Sequence, residues 1–228
     1  MEIKPIASSS KGNAYLISDF QTTVLIECGI PLKELKRKTN FIVPSVIDAC
    51  LISHEHGDHS KSLKDLLNAG VRCYALKEVF EAKEINNHHR AKRIKHLKQI
   101  DIGTFKIIPL EMNHDVPCVG FLIYSVVTNE KLLFATDTYM IKYAFHGLDY
   151  IMIEANYDIE LVEEDTQRKR LIQSHMSIDT TIQYLKSIDL NTVKKIYLMH
   201  LSSRHSNEKD FKRRVQAATA KVVEVCDE

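Results

Sequence analysis

Short apolar runs alternate along this chain with amphipathic stretches, and most of the runs end on a polar residue. Residues 2–7 and 13–19 pattern as strands joined by SSSKGN, a small polar turn in which Gly12 permits a positive φ. TTVLIE forms a third strand that ends on Glu27, and Pro31 opens a short helix, PLKELKRK, at a position where a missing N–H costs nothing. VIDACLIS is a fourth strand. It is followed by SKSLKDLLNAG, a helix with Leu63, Leu66 and Leu67 on its apolar side and Gly70 as its stop. A short strand (VRCYAL) and a helix from about Lys77 come next, and then the strands TFKIIPLEM, VGFLIYSVV, KLLFAT and DYIMIEA. The last quarter is helical around one strand: a charged helix near 158–172, a helix from Ser177 with Ile178, Ile182 and Leu185 on one face, the strand KKIYLMH, and a helix from about Asn207.

Strand-rich and helix-bearing halves therefore alternate as two similar layers. No short repeat and no Pro- or Gly-rich linker divides them, so residues 1–228 read as one domain. A hydrophobic share of 44% supports a sizeable core, and nothing in the composition points to disorder. The formal net charge is only +1, so attraction to nucleic acid has to come from a local patch. Such a patch spans residues 83–98, where Lys83, Arg90, Lys92, Arg93, Lys95 and Lys98 gather with three histidines; it reads either as a solvated face or as a phosphate-tracking surface. Five cysteines without a CxxC pair suit a reducing compartment. With no signal-peptide core at the N-terminus and no run of membrane-spanning length, the expectation is a cytoplasmic protein.

Residues 52–60, ISHEHGDHS, change the picture. Five metal-binding side chains, His54, Glu55, His56, Asp58 and His59, stand together on a loop that follows a strand. Four more polar residues recur at the ends of later strand-like runs or before a helix: His114, Asp137, His175 and His200. One zinc-like ion takes about four ligands, and more are present. The surplus suggests two divalent ions, zinc or manganese, about 3.5–4 Å apart and sharing a carboxylate and a hydroxide. Asp137 is the natural bridge because a carboxylate has two oxygens, while Glu55 and Gly57 read as spacers. Such a pair of ions makes a nucleophile at neutral pH and clamps a doubly charged phosphorus centre, so hydrolysis of phosphodiesters is the expected reaction.

The order His54-Glu55-His56-Gly57-Asp58-His59, then His114, Asp137 in ATDT and His200, resembles the HxHxDH pattern of the metallo-β-lactamase superfamily. Within it the chain resembles the YycJ/WalJ-type nuclease branch through ASSSKGNAYLI, SHEHGDH, MNHDVPCVGFLI, FATDT, IEANYD, SHMS and MHLSSRHSN, and it is also similar to the tRNase Z group. The resemblance implies an α/β fold, a four-layer αββα sandwich of two mixed β-sheets flanked by helices, with the site at one edge between the sheets. It implies that His54, His56 and His114 hold one ion, that Asp58, His59 and His200 hold the other, and that Asp137 bridges them. Asp58 and His175 would be the catalytic residues, His175 in SHMS protonating the leaving oxygen or steadying the phosphate. Ser177 would contact phosphate or cap its helix, and Lys92, Arg93 and Lys95 would steady nucleic acid. Three departures stand out: Glu27 in place of Asp at the end of the third strand, a turn poorer in Gly at SSSKG, and an added His205. The leading expectation is a nuclease of DNA-exonuclease type that also admits RNA. The competing one is a small-molecule hydrolase such as a cyclic-nucleotide phosphodiesterase, thioesterase or lactonase, and a third is a metal-stabilised binding protein without turnover.

Overall fold

The computed structural model describes residues 1–163 and 166–226. The first half of the chain builds a six-stranded sheet: β1 (Glu2–Ser9), β2 (Gly12–Ser18), β3 (Thr23–Ile26), β4 (Ala49–Leu51), β5 (Cys73–Ala75) and β6 (Ala91–Arg93). The second half builds a seven-stranded sheet: β7 (Ile100–Ile102), β8 (Phe105–Met112), β9 (Cys118–Ser125), β10 (Glu130–Ala135), β11 (Tyr150–Glu154), β12 (Lys195–Met199) and β13 (Val222–Val225). Spatial order follows chain order in both. Each sheet pairs antiparallel from β1 to β3 or from β7 to β10, and parallel from β3 to β6 or from β10 to β13.

Parallel strands need crossovers, and these supply the outer layers. Helices α1 (Leu32–Lys38), α2 (Gly57–Ser60), α3 (Leu63–Asn68) and α4 (Lys77–Ala82) belong to the first half, and α5 (Thr166–Ser174), α6 (Ile178–Ser187) and α7 (Glu208–Thr219) to the second. Burial on both faces of a sheet explains why β10 to β12 read as unbroken apolar runs. Leu132 and Phe134 of β10 join the cluster shared with Leu25, Phe105 and Phe121 between the sheets, whereas Leu133 and Ala135 join the outer one with Leu185 of α6 and Phe211 and Val215 of α7. Register carries the same division across the sheet, with Phe134 beside Met152 and Met152 beside Tyr197. Each such side chain, once fully buried, contributes about 1.5–3 kcal/mol relative to exposure.

The two sheets are tied together at the end where β3 begins. Asp19 is buried there and accepts from Thr104 Oγ1 at 2.6 Å, Ser125 Oγ at 2.7 Å, and the backbone N–H groups of Gln21 and Thr22. At the opposite rim the parallel strands β3, β4, β10, β11 and β12 deliver their C-terminal ends, so residues that follow them converge.

Four local expectations are corrected. The strand expected over 46–53 is only Ala49–Leu51 at its core, since turns occupy the preceding residues and Asp48 Oδ2 accepts the Thr23 N–H at 2.9 Å. The helix expected from Ser60 divides into α2 and α3, because the Ser62 N–H donates to the Cys28 carbonyl instead of continuing the ladder. The charged helix expected near 158–172 is a 3-10 turn at Ile159–Leu161, capped by Asp158, followed by α5, with residues 164 and 165 outside the described residues. The short strands β6, β7 and β13 were not foreseen, the first lying inside the basic stretch. Among the described residues, no helix is long and apolar enough to cross a membrane.

Candidate metal centre

The loop after β4 owes its course to its neighbours. Its residues 56–60 coil into α2, with the N–H groups of His59 and Ser60 donating to the His56 carbonyl, so Asp58 and His59 turn inward together. Gly29 passes beneath, and a Cβ at that position would overlap the Asp58 carbonyl. Asn13 Nδ2 donates to the Asp58 carbonyl at 3.2 Å and to the Ser9 carbonyl at 3.0 Å. Glu27, Asp137 and His200 all hold positive φ angles, 64°, 42° and 55°, a cost that non-glycine residues bear when their surroundings fix them.

Seven of the residues singled out in the sequence come together here. The ligand-type atoms of His54, His56, His114 and Asp137 lie within 4.8 Å of one another, as do those of Asp58, His59 and His200. Asp137 faces both groups with separate oxygens. Its Oδ2 is 3.7 Å from His54 Nε2 and 3.7 Å from His114 Nε2, while its Oδ1 is 3.4 Å from His59 Nε2 and 3.3 Å from His200 Nδ1. Asp58 Oδ2 adds contacts of 3.4 Å to His59 Nε2 and 3.2 Å to His200 Nε2.

The Nδ1 atoms of His54, His114 and His200 are held by neighbours. His54 Nδ1 meets Ser53 Oγ at 2.8 Å, and His114 Nδ1 donates to the Ser174 carbonyl at 2.9 Å. Glu27 Oε1 lies 3.5 Å from His59 Nδ1, close enough for its charge to act on the ring, but the two atoms are not hydrogen-bonded. Glu154 Oε1 lies 3.1 Å from His200 Nδ1. The Ser174 carbonyl sets the tautomer of His114 and aims its Nε2 at the centre, while His200 shares Nδ1 between Glu154 and Asp137 and presents Nε2 to Asp58. His56 differs, presenting Nδ1 at 3.3 Å from His114 Nε2.

A metal fits these donors, on two grounds. His54 Nε2 is buried, aimed into the cluster and without a hydrogen-bond partner. Imidazole and carboxylate are also the donors that zinc-like cations take. Charge is already arranged for it. Burial pushes Asp137 up, but the imidazoles of His200 and His59 outweigh it and hold its carboxyl well below the usual range, and the same two histidines do so for Asp58. Burial and the neighbouring His59 keep His54 neutral with its lone pair free. Burial opposes protonation of His200 as well, but Asp137, Asp58 and Glu154 raise it to about 10, so a cation entering there displaces a proton.

A cleft of about 510 Å³ opens over Asp58, Asp137 and His200 and is lined further by Ser10, Arg168, Arg170, His175, Ser202 and His205. His175 stands at its wall with Nδ1 2.6 Å from Glu154 Oε1 and 3.9 Å from Asp137 Oδ2. Burial lowers its pKa, but the Glu154 carboxylate prevails and raises it. His205, an unplaced addition in the sequence, lines this cleft. Ser177 caps α6, its Oγ accepting the Thr180 N–H at 3.1 Å, and is buried. Lys92 and Arg93 lie on β6, and Lys95 follows it, all outside the cleft.

Sequence reasoning passed over Glu154 as a working residue, although its place at the end of β11 matched that of the other polar strand ends. Its Oε2 accepts the N–H groups of Thr138 at 3.1 Å and Met176 at 3.2 Å, so one carboxylate braces the residue after Asp137, the residue after His175, and two imidazoles. Asp115 was also missed. It lies 3.0 Å from His114 Nε2 and is held from outside by Arg170 at 2.8 Å.

The chain is 29% identical over 227 residues to the exodeoxyribonuclease WalJ of Streptococcus pneumoniae serotype 2 (strain D39 / NCTC 7466), covering 88% of this chain and 81% of that protein. Its fold is similar to the crystal structure of the metallo-beta-lactamase fold protein YhfI from Bacillus subtilis, with a TM-score of 0.77, 16% identity, and coverage of 99% and 95% of the two chains. The fold is also similar to that of the short form of human tRNase Z, with a TM-score of 0.62, 14% identity, and coverage of 100% and 97%. Residues 22–201 match the model of the beta-lactamase superfamily domain, and the chain belongs to that superfamily.

Proposed function

We propose that this chain is a dinuclear metal-dependent phosphodiesterase, working as a nuclease of the exodeoxyribonuclease kind. The observation that carries this reading is Asp137, whose two oxygens face two separate histidine sets. His54, His56 and His114 would hold one divalent cation and Asp58, His59 and His200 a second, with Asp137 between them. When bound, the two cations would supply a nucleophile at neutral pH and offset charge on the phosphoryl group.

The chain's own residues complete the chemistry. His175 keeps Nδ1 on Glu154, which leaves Nε2 to carry a proton towards the cleft. The Glu154 carboxylate raises the pKa of His175, which favours the protonated ring that a donor to the leaving oxygen requires. Arg168 and Arg170 stand on one wall of the cleft beside Glu163, Arg170 with its guanidinium on Asp115, where a phosphate would meet them. Lys92, Arg93 and Lys95 steady nucleic acid beyond the cleft. Likeness to an enzyme named exodeoxyribonuclease over 88% of the chain supports the choice of DNA.

A substrate panel tests the reading: single- and double-stranded DNA, RNA and cyclic nucleotides, each with Mn²⁺ and with Zn²⁺. Degradation of DNA that His175→Ala suppresses is the expected result. Turnover of cyclic nucleotides alone would transfer the site to small-molecule chemistry.

A further inference from the structure

Three cavities on the outer side of the first sheet share their linings end to end. One, of about 380 Å³, begins at Ser60 and Lys61 and includes Lys64 and Lys83. The next, of about 220 Å³, shares Lys64 and Glu84 with it and reaches His88. The last, of about 470 Å³, shares Ile85 and His88 and ends at Lys92 and Arg93. They adjoin one another in a row, and Lys64 Nζ lies 4.0 Å from Glu84 Oε2 where the first two meet. The inner end of this row touches the metal loop, because Lys61 is the C-cap of α2 and His56, a cleft residue, is its N-cap. At 1.5 Å of rise per residue, those two backbone positions are about 8 Å apart.

Two features of the groove point to the same occupant. Five cations line it, Lys61, Lys64, Lys83, Lys92 and Arg93, against two carboxylates, Asp65 and Glu84, on a chain whose net charge is only +1. Even with Lys64 beside Glu84, the lining carries a surplus of positive charge, as a polyanion site requires. Where the second and third cavities meet, the rings of His88 and His89 stack at 5.1 Å between centroids and 15° between planes. The His88 ring is held by the Arg90 N–H donating to its Nδ1 at 3.2 Å, and His89 is exposed. A cationic groove interrupted by a flat ring platform is the arrangement by which proteins hold unpaired nucleic acid, phosphates on the cations and a base on the ring.

We propose that this groove is a track for a single strand of nucleic acid whose end enters the metal cleft. The inference rests on the nuclease reading for its purpose, but its test does not depend on catalysis. Fluorescent oligothymidylates of two to twelve nucleotides are titrated against the full chain in EDTA, where no cleavage occurs, and binding is read by anisotropy across a series of salt concentrations. Affinity should rise at least tenfold between two and eight nucleotides. In the Lys61→Gln/Lys64→Gln/Lys92→Gln variant the slope of log K against log salt should become shallower by about 2, since each phosphate of a single strand that is no longer neutralised reduces it by roughly 0.7. His89→Ala should weaken the eight-mer severalfold while leaving that slope in place. Circular dichroism of each variant establishes that the fold is kept.

Affinity that does not grow with length, or a salt slope that the triple variant leaves alone, would overturn the track. Equal binding of a duplex of the same length would overturn the commitment to a single strand. A chain that binds in this way yet degrades no nucleic acid with Mn²⁺ or Zn²⁺ would sink the nuclease reading and leave the groove standing.

Discussion

Glu154→Gln isolates the support behind the proposed acid. In the native chain Glu154 is fully buried, with one oxygen on His175 Nδ1 at 2.6 Å and His200 Nδ1 at 3.1 Å and the other accepting two backbone N–H groups. Glutamine keeps the size but removes the charge, and its single oxygen can accept from the backbone N–H groups or from the imidazole N–H groups, not both, while its NH2 can only donate. Hydrogen bonds to charged groups are worth about 1.5–3 kcal/mol. If that support is felt in the transition state, kcat on single-stranded DNA falls by about 10- to 150-fold. The pH dependence has a definite sign. Glu154 raises the pKa of His175, so the alkaline limb, where the proton is lost, should move to lower pH in the variant.

Because Glu154 also meets His200, metal content must be measured in the same sample and found unchanged for the effect to be assigned to His175. His175→Ala and the double variant close a cycle. If Glu154 works through His175, the double variant should be no more than about threefold slower than His175→Ala alone. Fully additive losses, or an alkaline limb that stays in place, would refute the coupling.

Three further outcomes follow from the packing. Gly29→Ala forces the Asp58 backbone away, so one metal equivalent should weaken by about 10–100-fold in a calorimetric titration with the other retained; equal weakening of both would contradict the division of the site. Asp19→Ala strands four donors that join the two sheets and should cost about 2–4 kcal/mol in urea unfolding. Burial pushes the Asp19 carboxyl up, but its hydrogen bonds hold it below the ordinary value, so its contribution is present above about pH 4 and lost as pH falls through the native pKa; the variant should lose this part of the acid dependence. Phe134→Ala opens the core between the sheets, where the ring meets Tyr15 at 5.5 Å between centroids, and should cost about 3–5 kcal/mol; a loss under about 1 kcal/mol would mean that the ring is not packed as described.

Much of the site is legible in the sequence because its residues sit where a pattern changes, at the end of an apolar run. His54 to His59, His114, Asp137 and His200 all have that signature, and the same runs suggest two similar layers, while the αββα sandwich itself is what the family resemblance implies. Glu154 has it too, but a lone acid at a strand end does not say which imidazole it backs, and only the packing of β11 against the residues before α6 brings it to His175. Asn13 and Gly29 act through backbone contacts with residue 58, far away in sequence, and such pairings leave no local trace. β6 was hidden because an edge strand reading AKR carries charge in place of alternation. The basic stretch is visible as composition, while its continuation through Lys61, the C-cap of α2, and Lys64 on α3 emerges only when the helices are laid against it.

The most direct test of the shared carboxylate is the metal content of the purified chain after dialysis against Mn²⁺ or Zn²⁺ at neutral pH. Two equivalents per chain, falling to one or fewer in Asp137→Ala, is the predicted result. A single equivalent in the native chain with every histidine intact would contradict it.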